Sequence, residues 1–160
     1  MPVPEHVVVD RGDRGAALAF LQRAAGPCVV KPAQGGGGEG VTGAVTNDAQ
    51  LTLAMRHAGL GTRWVIVERQ LAGDHYRLLL LDGEVLDVLR RERPVVVGNG
   101  RSTIEQLMFS EYERRLRSED TEGLKPFPMD LDCLFTLEAQ DLRPSSVPAP
   151  DAVVVVKTAS

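Results

Sequence analysis

Hydrophobic residues recur along this chain at two spacings, one typical of helices and one typical of strands. Apolar residues three or four apart, each group closed by glycine, proline or basic residues, predict helices at 13–25, 47–58, 102–117 and 130–140. Short β-branched or apolar runs predict strands at 28–32, 41–46, 63–70, 76–81, 84–89, 95–97 and 152–157. Together they predict an α+β protein built on antiparallel sheets packed with helices.

Turn and capping residues fix several boundaries of these elements. Asp82-Gly83 predicts a tight hairpin between two of the strands. Asn47 or Asp48 caps the second helix, and Gly59 ends it. A capping box at 102–105 opens the third helix, whose apolar side is predicted to carry Ile104, Leu107, Met108 and Leu116. Arg114, Arg115 and Arg117 complement the negative end of its dipole, and 118–128 is predicted to be a polar loop.

The composition disfavours several classes of protein. The chain has 160 residues, a net charge of −4 and 4% aromatic residues, which disfavours a basic or base-stacking nucleic-acid surface. No apolar run is long enough for a membrane span, and the first residues do not resemble a signal peptide. We therefore expect a cytoplasmic protein in which Cys28 and Cys133 stay reduced and Cys28 packs in the core.

The glycine-rich loop at 34–40 is the most distinctive local feature. Gly35, Gly37 and Gly40 formally match G-x-G-x-x-G, but a dinucleotide site needs a helix after the glycines, and 41–46 is strand-like. A Walker loop is excluded because Val41-Thr42 stands where Lys-Ser/Thr is required. The remaining interpretations are a flap whose backbone N–H groups cover phosphates and a mobile hairpin tip without a ligand.

Charged residues flank this loop and the predicted boundary near 68–73. Lys31 ends the strand that feeds the glycines, where its ammonium either reaches solvent or binds an anion beneath the flap. Glu68 closes an apolar strand at the boundary, as a ligand residue or as an ordinary strand-end carboxylate. Arg77, Arg90 and Arg91 surround one end of the next two strands, as an anion-binding floor or as a solvated edge.

Several segments together resemble the ATP-grasp enzymes. Residues 27–42 (PCVVKPAQGGGGEGVT) resemble their flap, and residues 65–80 (VIVERQLAGDHYRLLL) resemble their hinge and following strand. Residues 89–104 (LRRERPVVVGNGRSTI) are similar to a segment of cyanophycin synthetase and of the ATP-grasp half of bifunctional glutathione synthetases. Leu124-Lys125-Pro126 and the final VVVVKTAS also resemble that branch. The order and spacing of these segments make the resemblance specific.

The resemblance implies two ATP-grasp lobes, at 1–70 and at 71–160, the second incomplete. It implies ATP and Mg²⁺ as cofactors, and a carboxylate–amine ligase that forms peptide bonds through an acylphosphate. ATP would lie between the lobes, and a small carboxylate and an amine or peptide would be the substrates. The implied nucleotide-binding residues are Lys31, Gly35, Gly36, Gly37, Gly38, Gly40, Glu68, Arg69, Leu71, Asp74 and His75. Arg77 and Arg91 are implied to contact the transferring phosphate or the substrate carboxylate.

The chain departs from the family pattern at two places. His75 stands where the family has an acidic ribose-binding residue, although Asp74 precedes it. The family's magnesium ligands lie beyond the segment at which this chain stops, so the resemblance implies a central part of a larger ligase, inactive by itself, or a reduced stand-alone descendant. An alternative is a catalytically inactive scaffold or regulatory module of the same fold. An exposed sheet edge could also favour a homo-oligomer.

Overall fold

The computed structural model describes residues 3–117 and 128–158. Four helices are interspersed with antiparallel strands within these residues, which confirms the predicted α+β class. The strands are β1 (His6–Asp10), β2 (Cys28–Pro32), β3 (Thr42–Val45), β4 (Trp64–Arg69), β5 (His75–Leu81), β6 (Glu84–Arg91), β7 (Val95–Val97) and β8 (Val153–Val155). The helices are α1 (Arg14–Arg23), α2 (Asp48–Ala58), α3 (Ile104–Arg117) and α4 (Leu131–Glu138). The predicted loop at 118–128 lies, except for Pro128, outside the described residues.

An antiparallel sheet of order β1-β4-β2-β3 organises the first half of the chain. β4 is central and pairs with β2 so that Val67 lies opposite Val30 and Ile66 opposite Lys31. Side chains alternate between the two faces of a strand, so Val30 and Val67 point to the helix-covered face, and both are fully buried. The sequence analysis missed β1, although its three consecutive valines before Asp10 are a strand pattern.

Two capped helices cover this sheet and complete its core. The carboxylate of Asp13 accepts a hydrogen bond from the Ala16 amide at the start of α1, and the Asn47 side chain accepts one from the Gln50 amide at the start of α2. Their buried residues pack on the valines of β2 and β4, and Cys28 is fully buried there as predicted. The α2 residues in this core are Leu51, Ala54, Met55 and Ala58, and Gln50 of the same helix is also buried.

The predicted hairpin of β5 and β6 forms, with the Asp82-Gly83 turn at its tip. Asp82 and Gly83 both adopt positive φ, 50° and 88°, which suits a two-residue hairpin turn. Every residue of both strands is exposed. The hairpin is therefore a two-stranded sheet separate from the first one.

The remaining elements form a second, smaller core. β7 pairs antiparallel with β8, and Val96, Val154 and Val156 pack with residues of α3 and α4. α4 contributes to both cores, because Phe135 packs in the first and Cys133 and Leu137 pack in the second. The C-terminal part of the chain thus returns to the sheet of the first half.

Two details of α3 correct the sequence analysis. The capping box joins Thr103 to Gln106, whose side chains each accept the other's backbone N–H, and is one residue later than predicted. Ile104 and Met108 are buried, but Leu116 is 63% exposed because only the first half of α3 faces the core. The three arginines do occupy the last turn.

Candidate nucleotide site

The loop between β2 and β3 has the backbone that its glycines predict. Gly35, Gly37, Gly38 and Gly40 have φ values of 134°, 69°, 79° and 71°, which other residues rarely adopt. Within the loop, backbone hydrogen bonds join Glu39 to Gly36 and Val41 to Gly38. Among the described residues, nothing accepts a hydrogen bond from the amides of 35–38. These N–H groups are available to an anion.

The space around the loop is open on one side. A methyl group added to Gly35, Gly36 or Gly38 would meet no atom within 4 Å. Gly40 differs, since a methyl group there would lie 2.9 Å from Cγ of Pro32 at the end of β2. The loop is therefore anchored where it enters β3, while its middle faces free space.

Lys31 and Glu68 form an ion pair on the outer face of the sheet. The Lys31 Nζ atom donates to Oε1 of Glu68 over 2.7 Å, and their side chains are 34% and 16% exposed. Both residues lie on the face opposite to Val30 and Val67 because of the strand alternation. The sequence marks each residue singly, and only the fold shows that they are paired.

Two backbone hydrogen bonds fix the end of β4 and the residue that follows it. The Arg69 amide donates to Glu5 O over 2.8 Å, and the Gln70 amide donates to Pro27 O over 2.9 Å. Leu71 follows and is 56% exposed. Asp74 lies at the base of the β5–β6 hairpin, where it accepts a hydrogen bond from Arg90. This pairing raises the pKa of Arg90, chiefly through the hydrogen bond.

The arginines of the hairpin are divided between its two faces. Arg77 lies opposite Leu89, and His75 lies opposite Arg91, so these four residues share one face. Arg90 is paired with Tyr76 in the register and belongs to the other face. The geometry therefore unites Arg77 and Arg91 near His75, as two cations on one exposed surface.

Sequence analysis missed a set of polar side chains that hold β3. The amides of Gly43, Ala44 and Thr46 donate to carbonyl or carboxylate oxygens of Asp132, Gln70 and Gln50, respectively. Asp132 is almost completely buried. Its position in an amphipathic helix does not predict this, because carboxylates are rarely buried. Only the packing of α4 on β3 shows its partner.

Two concave regions of the surface lie away from these residues. A cavity of about 370 Å³ is lined by α3 residues Ser110, Glu113, Arg114 and Arg117. Another, of about 380 Å³, lies at the end of α4 around Leu134 and Glu138. Neither of these two cavities is lined by Lys31, Glu68 or the glycine loop.

The described part of the chain shows no metal centre and no membrane-spanning helix. Within 3–117 and 128–158, no group of three or more His, Cys, Asp or Glu side chains is arranged to hold a metal ion. None of the helices in those ranges has the length and apolar content needed to cross a bilayer. The described residues therefore do not fit a self-contained Mg²⁺ site.

Comparison with known proteins identifies the family. Residues 1–131 match the family model described as D-ala D-ala ligase C-terminus. The chain is 31% identical over 150 residues to cyanophycin synthetase of Geminocystis herdmanii, which covers 92% of this chain and 17% of that protein. It is 32% identical over 150 residues to the glutathione biosynthesis bifunctional protein GshAB of Enterococcus faecalis, covering 89% of this chain and 19% of that protein.

A solved structure supports the same fold. D-alanyl-alanine synthetase A from Vibrio cholerae superposes with a TM-score of 0.50 at 18% identity, over 59% of this chain and 30% of that protein. This likeness concerns the fold alone. The chain spans less than a third of each of these three relatives.

Proposed function

The chain belongs to the D-ala D-ala ligase C-terminus family of ATP-grasp ligases, and we propose that it is the ATP-binding part of a carboxylate–amine ligase. The observation that carries the proposal is a cation next to unpaired amides. Lys31 is the next-to-last residue of β2, the strand that leads into the glycine loop, and the amides of 35–38 have no partner among the described residues. A loop of free N–H groups that follows a lysine-bearing strand is suited to phosphate oxygens.

In this proposal each member of the ion pair has its own role. Glu68 holds the Lys31 ammonium on the outer face of the sheet at 2.7 Å, so the ammonium keeps a defined position before a ligand arrives. A phosphate oxygen approaching from the loop then contacts a positioned cation, and Gly35, Gly36, Gly37, Gly38 and Gly40 close over the phosphates. Glu68 and the backbone of Arg69 and Leu71 lie beside the adenine, with Asp74 or His75 near the ribose.

The proposed reaction joins an acid to an amine in two steps. A carboxylate oxygen of the acid attacks the γ-phosphorus of ATP, and ADP leaves, which gives an acylphosphate. The amine nitrogen then attacks the acyl carbon, phosphate leaves, and the nitrogen loses a proton to form the amide. Arg77 and Arg91, which share one face of the hairpin, neutralise the transferring phosphate or the carboxylate.

Mg²⁺ would neutralise the phosphate oxygens when ATP is bound. The described residues do not supply a cluster of ligands for it. The contribution of this chain is to bind and orient the nucleotide.

Isothermal titration of the chain with ATP and ADP tests the proposal. We expect binding by the wild type and loss of about tenfold or more in affinity for Lys31→Gln, because one charge-assisted contact to phosphate is removed. Arg63→Gln is the matched control. It removes an exposed cation paired with Asp10 at the other end of β4, and should leave the affinity unchanged.

A second pair of variants tests the loop without disturbing the fold. Gly36 has no positive φ and its added methyl would meet no protein atom, so Gly36→Ala should fold normally but obstruct a phosphate that approaches the backbone closely. Gly61→Ala has the same open surroundings and is the control. If the wild type fails to bind millimolar nucleotide, the chain is instead a scaffold or regulatory module of this fold. If the wild type binds and all four variants equal it, Lys31 and the glycine loop are not the nucleotide site.

A further inference from the structure

The strand that leaves the glycine loop is held by two side chains from distant parts of the chain. β3 is the last strand of its sheet and pairs only with β2 within it. Its register with β2 shifts between Cys28 and Val30, next to Gly43 and Ala44. At this irregularity the Gly43 amide donates to Oδ1 of Asp132 over 2.7 Å, and the Ala44 amide donates to Oε1 of Gln70 over 2.8 Å. Side-chain oxygens therefore replace the backbone acceptors that a neighbouring strand would provide.

The backbone at this point is strained. Ala44 has a φ of 53°, in the left-handed region that residues with a Cβ atom rarely adopt. Such a conformation persists where the surrounding contacts over-determine it. Here the contacts are the two side-chain acceptors on consecutive amides.

Asp132 connects this strand to the C-terminal part of the chain. Its carboxylate is 1% exposed and also accepts from the backbone N–H and the hydroxyl of Thr158. A Cβ atom on Gly43 would lie 2.3 Å from Oγ1 of Thr158, so only glycine lets these groups meet. The buried charge is thus satisfied by three donors from two segments.

Gln70 connects the same strand to the segment after β4. It lies between Arg69 and Leu71, which the proposed function places beside the adenine, and its own amide is fixed to Pro27 O. Ala44 is four residues beyond Gly40, the end of the glycine loop. The Gln70 side chain therefore joins the adenine end of the proposed site to the phosphate end.

We infer that Gln70 and Asp132 are positioning residues that fix β3, and through it the glycine loop, relative to the nucleotide. This inference deepens the proposed function and rests on it. Without the Gln70 and Asp132 acceptors, β3 relaxes at Ala44 and the loop samples positions from which its amides do not reach the phosphates. The adenosine part of the nucleotide does not depend on the loop.

Titration of variants with ATP and with adenosine separates positioning from direct contact. Gln70→Met keeps the length of the side chain but removes its acceptor, and should weaken ATP binding about fivefold while adenosine binding stays within about twofold. Gln140→Met is the matched control. The Gln140 side chain bonds Val155 O and Thr136 O, away from the loop, so both affinities should stay at wild-type values.

Hydrogen exchange gives a readout that does not require a ligand. Amides of 41–46 should exchange faster in Gln70→Met and in Asp132→Leu, which removes both carboxylate acceptors, than in the wild type or Gln140→Met. Gln70→Glu, which keeps an acceptor oxygen, should restore the wild-type exchange. Because Gln70 is only partly buried, its variants remain informative if Asp132→Leu fails to fold.

Three results would overturn the inference. If Gln70→Met weakened the binding of ATP and the binding of adenosine equally, Gln70 would be a direct adenine contact. Unchanged ATP affinity in that variant, or unchanged exchange at 41–46, would show that β3 is held without it. If the wild type bound no nucleotide, the proposed function would be wrong. The exchange comparison would still test how β3 is held, because it is made without nucleotide.

Discussion

β4 in the first sheet and β5 in the hairpin are both rich in large aliphatic residues, but their surroundings differ completely. In β4, Val65 and Val67 are fully buried between neighbouring strands and beneath helices. In β5, the run Leu78–Leu81 is exposed by 50–59% on both faces of a two-stranded sheet. The sequence of an apolar strand thus indicates that a helix or a second sheet should cover it. Whether one does depends on the rest of the fold.

The difference in burial has energetic consequences. Each fully buried aliphatic side chain contributes about 1.5–3 kcal/mol relative to an exposed one. A lone two-stranded hairpin is marginal in water, and contiguous exposed apolar surface marks an interaction site or an aggregation hazard. The first sheet is therefore expected to carry the stability of the chain, while the hairpin presents an apolar surface beside Arg77 and Arg91.

Truncation of one side chain in each region should give the largest contrast. Phe20→Ala in α1 removes a ring that is 1% exposed, and should lower the free energy of unfolding by about 3–5 kcal/mol. Leu79→Ala in β5 removes a side chain that is 57% exposed, and should change it by less than about 0.5 kcal/mol. Urea denaturation followed by circular dichroism measures both. Similar losses for the two variants would show that the hairpin is covered in solution.

Hydrogen exchange of the native protein should distinguish the first sheet from the β5–β6 hairpin without any mutation. Amides of β4 are expected to exchange only through global unfolding, with protection of about a thousandfold or more. Amides of β5 and β6 should be protected by only about tenfold, because the hairpin opens locally. The measurement is repeated at several protein concentrations. Hairpin protection that rises with concentration would indicate that a second copy of the chain covers it, as the exposed edges allow.

The smallest expected effect is the dependence of the protein's stability on acid pH through the last turns of α3. Ion pairs, and not core contacts, hold this part of the helix. The hydrogen bond from Arg114, together with Arg115, lowers the pKa of Glu111 from 4.5 to about 2 despite partial burial. A lowered carboxyl pKa stabilises the fold above pH 4.5, and that stability is lost as the pH falls toward 2. Since Arg114 is largely exposed, Glu111→Gln should cost about 0.5–1 kcal/mol at pH 7 and progressively less below pH 4.5. Thermal melts across that range measure it, and a constant cost would rule out the titration of Glu111.

Local sequence chemistry was sufficient for most elements of the fold. Asp82-Gly83 determined a hairpin, and the glycines of 35–38 determined a loop between two strands, because turns depend on the backbone freedom of a few adjacent residues. The capping box was misplaced by one residue, since Ser102 and Thr103 are both good caps. Leu116 was misassigned because helical spacing marks a face but does not show how far along the helix the core extends.

The sequence by itself indicated the candidate residues for a nucleotide site, since Lys31, the glycines and Glu68 lie in recognisable local patterns. Only the tertiary structure decided that Lys31 and Glu68, 37 positions apart, form one ion pair, and that Asp132 bonds to Gly43 across 89 positions. The physical reason is that propensity and periodicity act over a few neighbouring residues. The partner of a buried charge is chosen by how strands and helices pack.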